Sequence, residues 1–267
     1  QARIMWNVEA FERLIELYDS PSNAVCFCQG TFAEAGVDVC LAARSEDPLE
    51  EVAKEIRDLG RRCIAVPTDV TNGDAVDLMV QRAINELGHI DILVNNAGVA
   101  VVKPIVPLPG FKPTTSNLLP NFFERYSEEE WGQVIDTNLK GAFLCMRSVG
   151  PHMIERRKGK IVNITSVNAV KSGKFRFTYD ISKAGLSQLT RSSALEWIRY
   201  DINVNAIGAA YVETELTAIQ MQDERLRNNL LAEIPMRRLA KEREVALLAV
   251  YLSSPASDFM TGQTVST

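Results

Sequence analysis

The chain has 267 residues, of which 46% are hydrophobic and 24% charged, and its formal net charge is −5 at pH 7. This length and balance predict one globular α/β domain spanning residues 1–267, with a sizeable core. The acidic balance argues against a nucleic-acid-binding surface. No apolar run reaches the ~18 residues that a membrane helix needs, and no signal peptide opens the sequence.

The cysteines and histidines do not form the pattern of a disulfide framework or a metal centre. Cys26 and Cys28 are spaced too closely for a zinc knuckle, and the chain contains only two histidines. Buried thiols are the expectation for cysteines in apolar, strand-like stretches. The odd cysteine count and the lack of a secretory signal favour a reducing, cytoplasmic location. The five cysteines are Cys26, Cys28, Cys40, Cys63 and Cys145.

Strand and helix patterns alternate along the chain. After an atypical N-terminal helix within residues 1–22, strands are predicted at 24–28, 37–42, 63–66, 90–94, 160–165 and 201–208. Helices are predicted at 47–59, 71–87, 131–157, 178–200, 215–234 and 241–252. Gly150-Pro151 is expected to bend or interrupt the helix at 131–157. This alternation implies a doubly wound α/β fold, in which helices cover both faces of a parallel sheet in three layers.

The most informative stretch runs from Ile161 to Leu189, where a buried strand leads through a loop into a helix. Ser166 ends the strand, and Tyr179 and Lys183 share one helix face because they are four residues apart. A nearby ammonium group favours the phenolate and lowers the phenol pKa from ~10. Such a tyrosine can exchange a proton near neutral pH while Ser166 holds a substrate oxygen. A Tyr-x-x-x-Lys pair alone is weak, because a solvated helix face gives the same pattern.

Two further motifs strengthen this interpretation. Asn95-Asn96-Ala97-Gly98 follows a predicted strand, and Asn138-Leu139-Lys140-Gly141 lies in a helical stretch. With Ser166, Tyr179 and Lys183, in this order and at this spacing, they resemble the classical short-chain dehydrogenase/reductase family. The resemblance covers about residues 32–265. It implies a Rossmann-type fold and reversible hydride transfer between a nicotinamide cofactor and a carbonyl or secondary alcohol.

The resemblance also implies a role for each site residue. Tyr179 would be the general acid/base, Ser166 would position the substrate oxygen and Asn138 would carry a proton relay. Lys183 would lower the Tyr179 pKa and hold the nicotinamide ribose. The other cofactor-binding residues implied by the family are Asp69 and Val70 at the adenine, Asn95, Ala97 and Gly98 near the ribose and nicotinamide, and Val212 and Thr214 at the carboxamide.

The choice of cofactor depends on the end of the strand predicted at 37–42. In dinucleotide folds an acid at this point takes the ribose hydroxyls, whereas a nearby arginine suits a 2′-phosphate. Here Ala43 occupies the place of the acid and Arg44 follows. NADP(H) is therefore favoured over NAD(H), although a plain surface arginine gives the same pattern. Asp69 likewise has a simpler alternative role as a turn residue.

Three departures from the family pattern concern the cofactor site and the assembly. The glycine-rich turn T-G-x-x-x-G-x-G is reduced to Gln29–Gly36, with Gly30 as its one candidate, and about ten residues are missing. Ala209-Ala210 replaces a Pro-Gly pair, where alanine would be strained if the turn requires positive φ. The closing Val-Asp-Gly-Gly segment is absent, so a short last strand is expected. An unusual local structure replaces the glycine turn, or the cofactor site is damaged.

Residues 105–126 form an insertion that lengthens the usual connection by about fifteen residues. Loops of this length are lids, contact surfaces or disordered segments. A lid or subunit contact is favoured over disorder, because several large apolar side chains need burial. These are Phe111, Leu118, Leu119, Phe122 and Phe123.

The sequence thus predicts an NAD(P)-dependent oxidoreductase acting on a small carbonyl or alcohol of sugar, polyol or oxoacyl type. No nucleic-acid, membrane or metal partner is expected, and the family favours a homo-oligomer, either a dimer or a tetramer. One alternative is a catalytically impaired relative that acts as a binding or structural subunit. Another keeps the fold and cofactor but performs epimerase or dehydratase chemistry.

Overall fold

The computed structural model describes residues 29–110, 123–213, 221 and 224–267. Two parallel sheets run through this part of the chain, with strand orders β1-β2 and β3-β4-β5-β6. The strands are β1 (Val39–Ala43), β2 (Cys63–Pro67), β3 (Ile92–Asn95), β4 (Gly159–Ser166), β5 (Ile202–Ala209) and β6 (Thr264–Ser266). The helices are α1 (Gln29–Glu34), α2 (Glu46–Asp58), α3 (Gly73–Leu87), α4 (Glu128–Ile135), α5 (Gly141–Arg156), α6 (Phe177–Trp197), α7 (Glu224–Glu233) and α8 (Glu242–Ser253).

The larger sheet is buried on both faces because its strands alternate their side chains between two cores. Ile161 of β4 packs in a cluster with apolar residues of α3 and α5. Its neighbours Val162 and Ile164 point the other way, into a cluster with α8 and Phe32 of α1. Helices on both faces of a parallel sheet confirm the predicted doubly wound α/β fold. The predicted helix within 1–22 and strand at 24–28 lie outside the described residues, as does part of the helix predicted at 215–234.

Local capping fixes several helix starts where the sequence predicts them. Asn72 accepts a hydrogen bond from the backbone N–H of Ala75 and caps α3, which ends at Gly88 with φ 97°. Ser127 and Glu130 form a capping box that starts α4. These bonds satisfy N–H groups that a helix leaves unpaired at its first turn.

The single helix predicted at 131–157 is divided around Asn138 and not at Gly150-Pro151. A π-helical segment, Asp136–Lys140, separates α4 from α5, and its i→i+5 pattern brings the N–H of Gly141 to the carbonyl of Asp136. Pro151 lies inside α5 without ending it, so the predicted interruption at Gly150-Pro151 is wrong. A Cβ at Gly150 would lie 3.2 Å from the indole of Trp197, so the glycine lets this ring pack closely against α5.

The strain predicted at Ala209-Ala210 is also absent. Among the described residues, positive φ outside glycine occurs at Arg157, Phe175, Asp201 and Arg237. Ala209 instead ends β5 in extended conformation and pairs with Ser166 of β4. Alanine adopts this conformation readily, so no glycine is needed here.

The two ends of the 105–126 insertion are joined by a backbone hydrogen bond. The backbone N–H of Tyr126 donates to the carbonyl of Ile105 at 3.2 Å. Residues 111–122, which include four of the five apolar side chains named above, lie outside the described residues, and the fifth, Phe123, is exposed. A role as lid or subunit contact therefore stays a prediction.

Three cysteines in the described part of the chain have thiols whose pKa values are raised by burial. Burial raises the pKa of Cys40 to about 12 and the pKa values of Cys63 and Cys145 to about 11. A thiol is nucleophilic only as the thiolate, so these three side chains act as small core residues. In the described part of the chain, no helix is long and apolar enough to cross a membrane.

Candidate active site

Ser166 stands at the carboxyl end of β4, where ligands of parallel sheets bind. Its Oγ accepts a hydrogen bond from the backbone N–H of Asn168 at 3.1 Å, which turns the chain away from the sheet. The same hydroxyl lies near enough to the phenol of Tyr179 to lower its pKa, against the larger effect of burial, which raises it. The structure therefore brings Ser166 and Tyr179 together across the loop that separates them.

That loop is held by one buried carboxylate. Asp180, the residue after Tyr179, accepts a hydrogen bond from Nδ2 of Asn168 at 3.1 Å and from the backbone N–H of Gly173 at 2.9 Å. Hydrogen bonds to a charged acceptor are stronger than neutral ones. Asp180 thus ties both halves of the loop to the first turn of α6. No pattern in the sequence marks this residue, because its partners lie seven and twelve positions away.

Lys183 lies one helical turn after Tyr179 and is only 4% exposed. Its Nζ donates to the carbonyl of Ile164 at 2.8 Å and lies 5.7 Å from the centroid of the Tyr179 ring. Burial lowers the pKa of Lys183 to about 8. The helical spacing therefore places the amine beside the phenol, as predicted.

The pKa of Tyr179 moves in the opposite direction to the prediction. Burial raises it, and the Ser166 hydroxyl and the charge of Arg176 offset this only in part. Burial disfavours the charged form of both groups, and for this pair that effect outweighs their mutual attraction.

Asn138 lies in the π-helical segment and is 1% exposed. Its amide group pairs with both backbone groups of Val99: Oδ1 accepts from the N–H at 2.8 Å and Nδ2 donates to the carbonyl at 2.9 Å. Nδ2 also donates to Oγ of Ser182, which in turn donates to the carbonyl of Tyr179. Asn138 therefore connects the loop after β3 to the helix that carries the tyrosine and the lysine.

Gly98 lies between these groups. A Cβ at this position would be 3.4 Å from Nζ of Lys183 and 3.5 Å from Oδ1 of Asn138. The missing side chain leaves the backbone open at the point where the lysine and asparagine meet. Such an opening fits a ligand that approaches the backbone closely.

Some of the other predicted cofactor residues are exposed to solvent, and others contact neighbouring residues of the protein. Ala97 is exposed beside Gly98, and Arg44 is exposed at the end of β1. Asp69 accepts two hydrogen bonds from Thr71, which lower its pKa, and the charge of Arg44 lowers it further. The alternative of turn chemistry for Asp69 is thus observed, while its nearness to Arg44 is consistent with a shared binding region. Val70 packs against Gly141.

The remaining positions named from the sequence are Asn95, Val212, Thr214 and Gly30. Asn95 is buried and donates from Nδ2 to Oδ1 of Asn163 at 2.8 Å, which links β3 to β4. Val212 is buried in an isolated bridge with Ala240. Thr214 lies outside the described residues. Gly30, the glycine retained from the family's turn, is the second residue of the short helix α1.

Comparisons with known proteins agree with this geometry. A family model described as enoyl-(acyl carrier protein) reductase matches residues 28–267. The 3-oxoacyl-(acyl-carrier-protein) reductase of Staphylococcus epidermidis is 34% identical over 234 residues, covering 87% of this chain and 88% of the relative. The acetoacetyl-CoA reductase of an Acinetobacter species is 36% identical over 201 residues, covering 75% and 73%.

A solved structure supports the same relationship. The crystal structure of a putative short-chain alcohol dehydrogenase from Sinorhizobium meliloti superposes with a TM-score of 0.78 at 34% identity, covering 91% of this chain and 88% of that one. Nearly the whole described fold is therefore shared with that structure. The chain belongs to the classical short-chain dehydrogenase/reductase family of oxidoreductases.

Proposed function

We propose that this protein catalyses reversible hydride transfer between NADP(H) and a carbonyl or secondary alcohol, and that its physiological direction is reduction of a 3-oxoacyl thioester. The observation that carries the proposal is the convergence of Ser166, Tyr179 and Lys183. A phenol, a hydroxyl and a buried amine meet at the carboxyl edge of the sheet. The named relatives act on 3-oxoacyl and acetoacetyl thioesters, which favours this substrate over a sugar or polyol.

The residues present fit a nicotinamide cofactor at the reactive end. The open backbone at Gly98 leads to Lys183, whose ammonium suits ribose hydroxyls. Val70 and Asp69 would flank the adenine, and Arg44 would meet a 2′-phosphate at the far end. Bound there, NADPH supplies the hydride. A homo-oligomer, dimer or tetramer, stays a prediction from the family.

The chain's own residues supply the proton and the orientation. Tyr179 would donate its phenolic proton to the carbonyl oxygen, and its raised pKa keeps that proton in place at neutral pH. Ser166 would donate a hydrogen bond to the same oxygen and hold it beside the phenol. Asn138 keeps the loop after β3 fixed against α6, so that Gly98 and Lys183 stay aligned.

The reaction is tested by following loss of nicotinamide absorbance with acetoacetyl-CoA as substrate. Tyr179→Phe removes the donor hydroxyl and should lower kcat at least ~100-fold, with the NADPH Kd unchanged. Tyr200→Phe, in the short 3₁₀ segment that follows α6, is the matched control and should retain activity. Turnover that survives in Tyr179→Phe would refute the proposed chemistry.

Cofactor choice is tested by titrating the wild type with NADPH and with NADH, following nicotinamide fluorescence. Arg44→Ala should weaken NADPH binding about 10- to 100-fold, the loss expected for one charge-assisted hydrogen bond, and should leave NADH binding unchanged. Arg82→Ala, at an exposed position on α3, controls for loss of charge. A preference for NADH would overturn the role of Arg44, and failure of a folded sample to bind either cofactor would refute the oxidoreductase proposal.

A further inference from the structure

An ion pair between a buried lysine and a partly exposed glutamate lies outside the group of residues assigned above. Lys103, in the loop after β3, has a side chain only 3% exposed, and its Nζ lies 2.8 Å from Oε1 of Glu130. The same ammonium lies over the ring of Tyr126, 5.6 Å from its centroid. A lysine is rarely buried to this extent unless its charge is paired.

Glu130 serves two segments at once. Its Oε2 accepts the backbone N–H of Ser127 at 2.7 Å and completes the capping box of α4, while Oε1 binds Lys103. The carboxylate therefore fixes the start of α4 and the loop after β3 relative to each other. The capping bond is predictable from the sequence, but the lysine is not.

Lys103 also contacts the turn that leads into α6. Its backbone N–H donates to the carbonyl of Phe175 at 3.0 Å, and Phe175 has φ 65°. A bulky residue in the left-handed region is strained and persists only where its surroundings hold it. Phe175 precedes Tyr179 by four residues, so this held turn sets where the tyrosine's helix begins.

Aromatic packing continues the same connection. Phe177, the first residue of α6, packs edge-on against Tyr126 at 4.7 Å between ring centroids and stacks on Trp131 of α4 at 6.2 Å. Tyr126 therefore touches both the ammonium of Lys103 and the helix start. The pair and the rings form one unit, which we call the Lys103 clamp: Lys103, Tyr126, Glu130, Trp131 and Phe177.

We propose that the Lys103–Glu130 ion pair is a positioning device for Tyr179, which fixes the strained turn at Phe175 and the first turn of α6 so that the phenol faces Ser166. The inference rests on the proposed function, because it assigns Lys103 a purpose in the chemistry of Tyr179. Lys103 touches no reacting atom; it acts through the backbone of the turn and through the rings.

The test uses Lys103→Met, Glu130→Gln, the double variant and Lys103→Arg, with Arg82→Gln as the control. The control breaks the exposed Arg82–Glu86 pair, which lies away from the site on α3. Lys103→Met and Glu130→Gln should each lower kcat at least ten-fold, while the NADPH Kd changes less than two-fold. Lys103→Arg keeps the charge pair and should restore kcat to within three-fold of the wild type.

The double variant separates positioning from stability. Lys103→Met leaves Glu130 without its cation, and Glu130→Gln leaves the buried Lys103 without its carboxylate. The urea midpoint of each of these two variants should therefore fall. The double variant has no unpaired charge and should regain the midpoint, yet its kcat should stay low because the turn is no longer fixed. Recovery of kcat together with the midpoint would overturn the inference, as would a loss of NADPH affinity in proportion to kcat.

A readout independent of turnover is the pH titration of the Tyr179 phenol, monitored by NMR of ¹³C-labelled tyrosine. The Tyr179 signal is assigned by its loss in Tyr179→Phe. Burial raises the pKa of this phenol above its ordinary value, so a displaced ring in Lys103→Met should titrate closer to ~10. If the pKa of the Tyr179 phenol and the kcat were both unchanged in Lys103→Met, the positioning role would be refuted and the proposed function would not. Turnover that persists in Tyr179→Phe would instead refute the proposed function, and the two failures are thereby distinguished.

Discussion

Replacing Lys183 with methionine tests the electrostatics of the site through the stability of the fold. Burial lowers the pKa of Lys183 from 10.5 to about 8. One pKa unit corresponds to ~1.36 kcal/mol, so the folded protein bears a penalty of about 3 kcal/mol for this charge below pH 8. The variant removes that penalty, but it also leaves the carbonyl of Ile164 without this donor, at a cost of about 1–3 kcal/mol.

The sign of the pH dependence follows from proton binding. Between pH 8 and pH 10.5 Lys183 is neutral in the folded chain and protonated in the unfolded chain. The unfolded state then binds more protons, so the wild type gains stability as pH rises through this window. Relative to the wild type, Lys183→Met should therefore be equal or up to about 2 kcal/mol more stable at neutral pH, and about 1–3 kcal/mol less stable near pH 10.5.

The assay is urea unfolding of both proteins from about pH 7 to about pH 10. Lys54→Met, which replaces an exposed lysine on α2, serves as the control for the general effect of alkaline pH on the free energy of unfolding. Tyr179 does not interfere, because burial raises its pKa and keeps it neutral across most of the range. A difference in stability between variant and wild type that stays constant with pH would refute the reasoning.

Three other substitutions test the surroundings of the site. Asn138→Ala removes three buried hydrogen bonds and should lower the free energy of unfolding in urea by about 2–4 kcal/mol. Gly141→Ala would place a Cβ 2.8 Å from Cγ2 of Val70, and should cost about 1–3 kcal/mol and weaken NADPH binding in a fluorescence titration. Unprotonated His152 accepts the N–H of Ile90, and burial lowers its pKa. Thermal stability should therefore fall as pH drops below ~6.5, and it should not do so in His152→Gln.

Local signals in the sequence predicted most of the framework. The capping residues Asn72 and Ser127 act within one turn, so a short window of sequence contains the whole interaction. Tyr179 and Lys183 could be paired for the same reason, since helical spacing alone puts them on one face. The buried strands could be found from their apolar runs, which require no knowledge of their partners.

Features decided by distant contacts could not be predicted in this way. Gly150-Pro151 is a local pattern typical of a helix break, yet α5 continues through it, and Trp197, far along the chain, packs closely against the glycine. The pairing of Asn138 with Ser182 joins residues 44 positions apart, and no periodic pattern marks it. The pKa of Tyr179 depends on how deeply the folded chain buries the phenol, which residue spacing does not report.

The opposing pKa changes of the two central groups predict how the rate of reduction depends on pH. Burial raises the pKa of Tyr179 and lowers that of Lys183 to about 8. Below pH 8 the site therefore holds a protonated phenol beside a charged ammonium, which is the form that gives a proton to a carbonyl. As pH rises through 8, the ammonium loses its charge before the phenol ionises, and the pair becomes neutral.

Reduction should therefore be fastest below about pH 8 and should decline above it, because the lost ammonium charge no longer stabilises negative charge that develops on the substrate oxygen and phenol. The profile of kcat for acetoacetyl-CoA against pH would measure this directly. A stability control at each pH excludes unfolding as the cause. A reduction rate that rises between pH 8 and pH 9 would mean that Lys183 acts as a neutral amine, and the assignment of its charge to catalysis would have to be abandoned.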